Sequence, residues 1–130
     1  MRSKLEVYAL AVCFAAVLCL VISTGIGGYA IIKIIKPELT LEKWDYNKHQ
    51  SNDAFWQSRR DATEVRKLEQ RPAEEDLTKL RLESFDLALT AESREGVQTL
   101  IQCVMFFLAG AIALFVHWRI ARYARQDMKA

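Results

Sequence analysis

The sequence predicts an all-α membrane protein with two transmembrane helices and a helical, charged extramembrane connector. Residues 7–32 (VYALAVCFAAVLCLVISTGIGGYAII) carry no charged side chain, and neither do residues 97–118 (VQTLIQCVMFFLAGAIALFVHW). Between them, residues 33–96 carry 12 Lys or Arg and 14 Asp or Glu. A helix needs roughly 20 apolar residues, at a rise of about 1.5 Å each, to cross the hydrocarbon core. Both apolar runs are long enough, while the charge density between them belongs in water. The mean hydropathy of +0.01 averages over these unlike parts. The expected order is a cytoplasmic N-terminus at 1–6, a first span at 7–32, an extramembrane segment at 33–96, a second span at 97–118 and a basic cytoplasmic tail at 119–130.

Arg2 and Lys4 precede the first run as the basic region of a secretory signal would, and Ser23-Thr24-Gly25 has the small residues of a cleavage site. A signal's apolar core is about 7 to 15 residues long. This run has 26, so an uncleaved anchor is expected. Cys13 and Cys19 lack the small residue that a lipoprotein signal places just before its cysteine. With Cys103 they lie in the apolar runs, at spacings that give neither a disulfide framework nor a C-x-x-C metal site, so all three read as small packing residues.

Along the first span, Ala9, Cys13, Ala16, Leu20, Ser23, Gly27 and Ala30 recur at steps of three and four, which places them on one helical face. Lipid tails are as apolar as Leu, so helices in a bilayer associate through close backbone approach and interhelical hydrogen bonds, and small residues permit both. That face is expected to meet another helix. Ser23 with Gly27 and Thr24 with Gly28 repeat the small-xxx-small theme.

On the second span the expected seam is Gln98, Gln102, Met105, Ala109, Ile112 and Val116, with Ala109 and Ala113 as a close-approach pair. An unpartnered amide in hydrocarbon costs several kcal/mol. Gln102 is therefore expected to face another helix, an oligomer mate or water, while Gln98 can reach the interface. His117, beside Trp118 and Arg119, reads as an amphipathic ring at headgroup depth rather than a proton relay, because no Asp, Glu or second His shares the span.

In the connector, Pro37 should stop the first helix. Thr40 is expected to cap a short helix through Tyr46, and Ser51 with Asp53 to open a second through about Arg71. Pro72 then precedes a strongly helical stretch from Ala73, with Leu77, Leu80, Ser84, Leu87 and Ala91 along one seam, flanked by Leu82, Phe85 and Leu89. That helix either runs unbroken into the second span or breaks at Ser93 or Gly96. Its stripe must be covered. The internal candidate, with Phe55, Ala62, Val65 and Leu68, is thin, which favours a neighbouring copy. Trp44, Tyr46, Phe55 and Trp56, with Trp118 at the far span, read as interfacial aromatics in preference to a ligand cage.

The layout, with WDYNKHQSNDAFW after the first span and HWRIARYAR closing the second, resembles small bacterial two-span membrane proteins of unknown function. The resemblance covers the whole chain in outline and brings no catalytic motif. It implies a bacterial inner membrane and leaves activity open.

Arg119, Arg122, Arg125 and Lys129 follow the second span, whereas the nearest basic residues before it are Arg94 and Arg81; the Lys and Arg bias thus puts the C-terminus in the cytoplasm, and two spans put the N-terminus there too. No enzyme is expected: the sequence has no phosphate loop, no nucleophile elbow, no metal-ligand cluster and only two histidines, His49 and His117. No cofactor is implied. The connector is slightly acidic, which argues against nucleic acid. The expected partners are the bilayer and other transmembrane helices. The chain then reads as a small accessory, assembly or scaffold subunit of a larger membrane complex, or alternatively as a homo-oligomer lining a pore with its Gln98, Gln102 and Ala109 face.

Overall fold

The structure, a computed structural model, describes residues 4–62 and 70–127. Among them it is all-helical: α1 at Lys4–Ile35, a 3-10 turn at Pro37–Leu39, α2 at Lys43–Lys48, α3 at Asn52–Asp61 and α4 at Glu74–Asp127. The chain forms two compact units, one of Met1–Ile31 with Val97–Ala130 and one of Ile32–Gly96. Arg2, Val65, Leu68 and Lys129, used in the sequence reading, lie outside the described residues.

Both α1 and α4 are long and apolar enough to cross a membrane. Only 17% of the most apolar window of α1, and 6% of that of α4, is buried inside the chain. A soluble protein would hide such helices in its core, because an exposed apolar surface of this extent seeks a partner or a bilayer. Phe14, Ile22, Phe106 and Ile112 all face outward.

In the unit Ile32–Gly96, the amide of Lys36 makes the last α-helical bond, to the Ile32 carbonyl, and Lys36 itself leaves helical geometry at φ −138° and ψ 71°. The Pro37 ring imposes this on the residue before it. One expectation is corrected here. Thr40 caps no following helix; its hydroxyl and amide both donate to the Pro37 carbonyl, closing the 3-10 turn. Pro at the first position of that turn starts it too early for Thr40 to serve α2, which begins after Glu42 with no side-chain cap. Ser51 does cap α3, its hydroxyl accepting from the Ala54 amide at 3.1 Å. That helix ends at Asp61.

Among the described residues the buried apolar core of this unit is Phe55, Trp56 and Leu77, with Leu77 at 0% exposure. His49 lies beside them, its ring 5.8 Å from that of Phe55 and 5.2 Å from that of Phe85. Phe55 and Trp56, expected as interfacial aromatics, are buried in the unit's own core, because the capped helix α3 turns both onto Leu77 of α4. Trp44 stays exposed beneath the Lys48 ammonium, 4.5 Å from its ring, and Tyr46 stays partly open with its ring edge-on to Phe85 at 6.4 Å. The stripe on α4 is covered only in part. Leu77 is sealed, whereas Leu82 and Leu87 remain exposed.

Asn52 knits α3 to α4. Its amide donates to the Glu74 carboxylate and to the Thr78 hydroxyl, each at 2.9 Å, and its carbonyl accepts from Arg81 Nε at 3.0 Å. Arg81 also donates to the His49 carbonyl. Helix α4 then continues through Ser93 and Gly96 without a break, although Gly in a helix interior costs about 1 kcal/mol relative to Ala. Lys33 bonds both Glu92 and Glu95 at 3.1 Å.

The hydrogen bond from Asn52, followed by the pairing with Arg71, holds the Glu74 carboxyl below its ordinary value of 4.5. A lowered folded value means stability that is present above the ordinary pKa and lost as pH falls through the lowered one. We expect Glu74→Gln to destabilise the 32–96 unit slightly at neutral pH, slightly because exposed pairs contribute little, and to flatten its acid limb by the same small amount, since the stability lost in acid is the stability present at neutral pH. Near- and far-ultraviolet circular dichroism of the detergent-solubilised chain across an acid titration measures this; an identical acid limb in both proteins contradicts it.

Candidate functional site

Within the unit of Met1–Ile31 and Val97–Ala130, α1 and α4 run antiparallel along a seam of small side chains. The face of α1 read from the sequence is the face that meets α4: Ala9, Ala16, Gly27 and Ala30 are buried, and Cys13, Leu20 and Ser23 are half-buried. A Cβ built on Gly110 would stand 3.3 Å from a terminal carbon of Leu20 and 3.7 Å from the Ala16 carbonyl oxygen. One built on Gly27 would lie 3.6 Å from the Cys103 Cβ. Cys13 donates weakly to the Leu114 carbonyl at 3.9 Å. The close approach that small residues allow is therefore present, centred on Ala16 and Gly110.

The opposing face of α4 is made by Cys103, Gly110, Ala121 and Ala124, all buried. Gln98, Gln102, Met105, Ala109, Ile112 and Val116 are exposed, and Ala113 is half-buried. The expected seam of the second span is thus its outer face, and within this chain Ala109 is no close-approach residue. A signal for the inner face exists in the sequence. Cys103, Gly110, His117 and Ala124 recur every seventh residue, the repeat that keeps one face of a helix against a partner.

Two polar contacts flank the seam where Glu6 meets the end of α4. Glu6, 2% exposed, accepts through one carboxylate oxygen from Arg125 Nε at 3.2 Å and Nη2 at 3.1 Å. The pair sets an acid in the first turn of α1 and a base in the last turn of α4, each where the helix dipole favours it. One turn further in, the Tyr8 ring meets His117 edge-on at 5.9 Å. His117 Nδ1 lies 2.9 Å from the Ala113 carbonyl, and since a carbonyl only accepts, Nδ1 carries the proton. The pairing of Glu6 with Arg125 did not stand out in the sequence, because 119 positions separate them.

In the 32–96 unit, the same logic fixes the His49 tautomer. Nδ1 donates to the Asp45 carbonyl at 2.7 Å, and in the neutral ring Nε2 then accepts from the Ser84 hydroxyl at 3.1 Å. Ser84 also lines a cleft of about 450 Å³ with Trp44, Lys48 and Arg59. The contact joins the buried end of α2 to α4. Among the described residues no three His, Cys, Asp or Glu side chains are placed to hold a metal ion.

Forcing a branched side chain into a packed seam costs about 1–3 kcal/mol. Ala16→Leu and Gly110→Leu should therefore both loosen the helix pair, while Gly27→Ala, which meets only ordinary contact distances, and Ala109→Leu, on the outer face, should not. The measure is oxidative crosslinking between Tyr8→Cys and His117→Cys in a chain whose three native cysteines are alanine. Equal yield in all four variants would mean that the seam is not the contact.

Comparison with protein-family models, with curated proteins and with solved structures finds no match to this chain.

Proposed function

We propose that the chain is a non-enzymatic, membrane-embedded helical hairpin that acts as an accessory or assembly subunit, docking a transmembrane helix of a larger complex on the outer face of α4. The observation that carries this reading is the exposure of Gln98 and Gln102 at the start of the apolar stretch of α4, on the side away from α1. The hairpin packs through Ala16, Cys103 and Gly110 and leaves both glutamines exposed. An amide in hydrocarbon without a partner costs several kcal/mol, and interhelical hydrogen bonds of about 0.6–2 kcal/mol reward a helix that supplies one. Ala109 on the same face allows that helix to come close. The residues named for packing thus divide into an inner set on α1 and an outer set on α4.

The same outer face also fits the second reading, a homo-oligomer whose glutamines line a pore. The accessory reading stands ahead because the face carries no ring of charge. A bacterial inner membrane, implied by the resemblance, and cytoplasmic termini belong to the proposal. Arg119, Arg122 and Arg125 at the end of α4 support that orientation under the positive-inside rule.

Native mass measurement of the chain extracted in mild detergent should show it bound to other proteins, and Gln102→Leu should release them. A single fixed multiple of this chain, dispersed by the same substitution, selects the pore-forming oligomer instead. A monomer unaffected by Gln102→Leu sinks both. Separately, reporter fusions at Met1 and Ala130 should both be active in the cytoplasm; exterior activity at either end overturns the orientation.

A further inference from the structure

Past the apolar stretch, α4 continues for two more turns, and its faces there differ sharply. Ala121 and Ala124 are buried, and Arg125 is engaged by Glu6. On the other side Trp118, Arg119, Arg122, Tyr123 and Gln126 line a cleft of about 240 Å³. The Arg122 guanidinium stands over the Trp118 ring at 5.0 Å, and that of Arg119 over the Phe115 ring at 5.5 Å. Each side chain therefore reaches back one turn toward the apolar stretch, in the direction in which helix geometry tilts it. Their charges sit level with the last aromatic residues of the span, where Trp marks headgroup depth. Among the described residues no carboxylate pairs with either arginine. A guanidinium stacked on a ring still presents its edge N–H groups, which match the oxygens of a phosphate in a fork.

We propose that this cleft binds the phosphodiester of an anionic glycerophospholipid headgroup, with Arg119 and Arg122 as the phosphate ligands, Trp118 as the platform beneath Arg122, and Tyr123 and Gln126 as donors to the remaining headgroup oxygens. The inference rests on the membrane-spanning reading above. It goes beyond the positive-inside rule, which asks only for charge. The cleft asks for a planar, stacked cation at two positions, and lysine supplies the charge without the fork.

The test uses the full chain in mild detergent, titrated with phosphatidylglycerol or with phosphatidylcholine of the same acyl chains, and reads the bound lipids by native mass spectrometry. Two basic residues at an anionic surface are worth about thirtyfold in affinity. The intact chain should prefer phosphatidylglycerol by about that factor. Arg119→Gln with Arg122→Gln should abolish the preference, and Arg119→Lys with Arg122→Lys should lose most of it while keeping the charge count that sets topology. Equal retention of the two lipids overturns the proposal, as does a lysine variant that behaves like the intact chain. Competition by inorganic phosphate as effective as phosphatidylglycerol overturns it too, since the site would then belong to a soluble anion. Alkaline carbonate extraction separates the underlying reading. Release of the chain from membranes sinks the spanning hairpin itself, whereas a retained chain without lipid preference sinks only this site.

Discussion

The close approach of the α1 backbone at Ala16 to Gly110 is the constraint on which the helix pair depends. In a bilayer there is no hydrophobic gain in pressing two apolar helices together, so what holds them is van der Waals contact over a short interaxial gap. A residue without a side chain on one helix, facing a residue with one methyl on the other, sets that gap at its smallest. The register follows from it. With Gly110 against Ala16 and Leu20, Gly27 falls beside Cys103, Cys13 beside Leu114, Tyr8 beside His117 and Glu6 beside Arg125. A slip by one residue would turn all of these contacts off the seam at once.

The 32–96 unit is rich in charge where the two long helices are apolar, and it is held by different means. Among the described residues its buried apolar core is Phe55, Trp56 and Leu77. Water can satisfy its backbone, which permits the break at Pro37 and a chain of short helices that a lipid-exposed segment could not tolerate. Order comes instead from side chains with several hydrogen-bonding arms. Asn52 joins Glu74, Thr78 and Arg81, His49 joins Asp45 and Ser84, and Arg71 joins Asp53 and Glu74. Each polar group that anchors this unit would be a penalty within the spans.

The legible parts of the sequence were those governed by one local rule. Two charge-free runs marked the long apolar helices, and the three-and-four spacing from Ala9 to Ala30 marked the packing face of α1. Ser51 was legible as a cap because a hydroxyl ahead of three free amides has one geometry available. The inner face of α4 was misplaced because polarity drew attention to Gln98 and Gln102, whereas contact was set by Cys103 and Gly110, whose signal is smallness at a seven-residue interval. Phe55 and Trp56 were read by their nearness to the first span, yet which side of α3 they occupy depends on where its cap sits. Thr40 failed for the same kind of reason, since Pro37 three residues earlier had already claimed its hydroxyl.

The hairpin can be understood through what it uses internally and what it leaves outside. Small residues go to the seam, which leaves the large apolar side chains, among them Phe14, Phe106 and Ile112, on the perimeter, where acyl chains of a bilayer would solvate them at no cost. Among the arginines after the second span, Arg125 is spent on Glu6, a carboxylate too buried to be left unpaired, and its charge is thereby cancelled. Arg119 and Arg122 are not spent in this way; they are folded back over aromatic rings, which leaves their charge unneutralised. Gln98 and Gln102 are likewise left over on the outer face of α4. Fold stability accounts for the seam and the Glu6 pair but for none of these outward polar groups, and in a bilayer, where unpaired polarity is costly, such groups would favour an external partner.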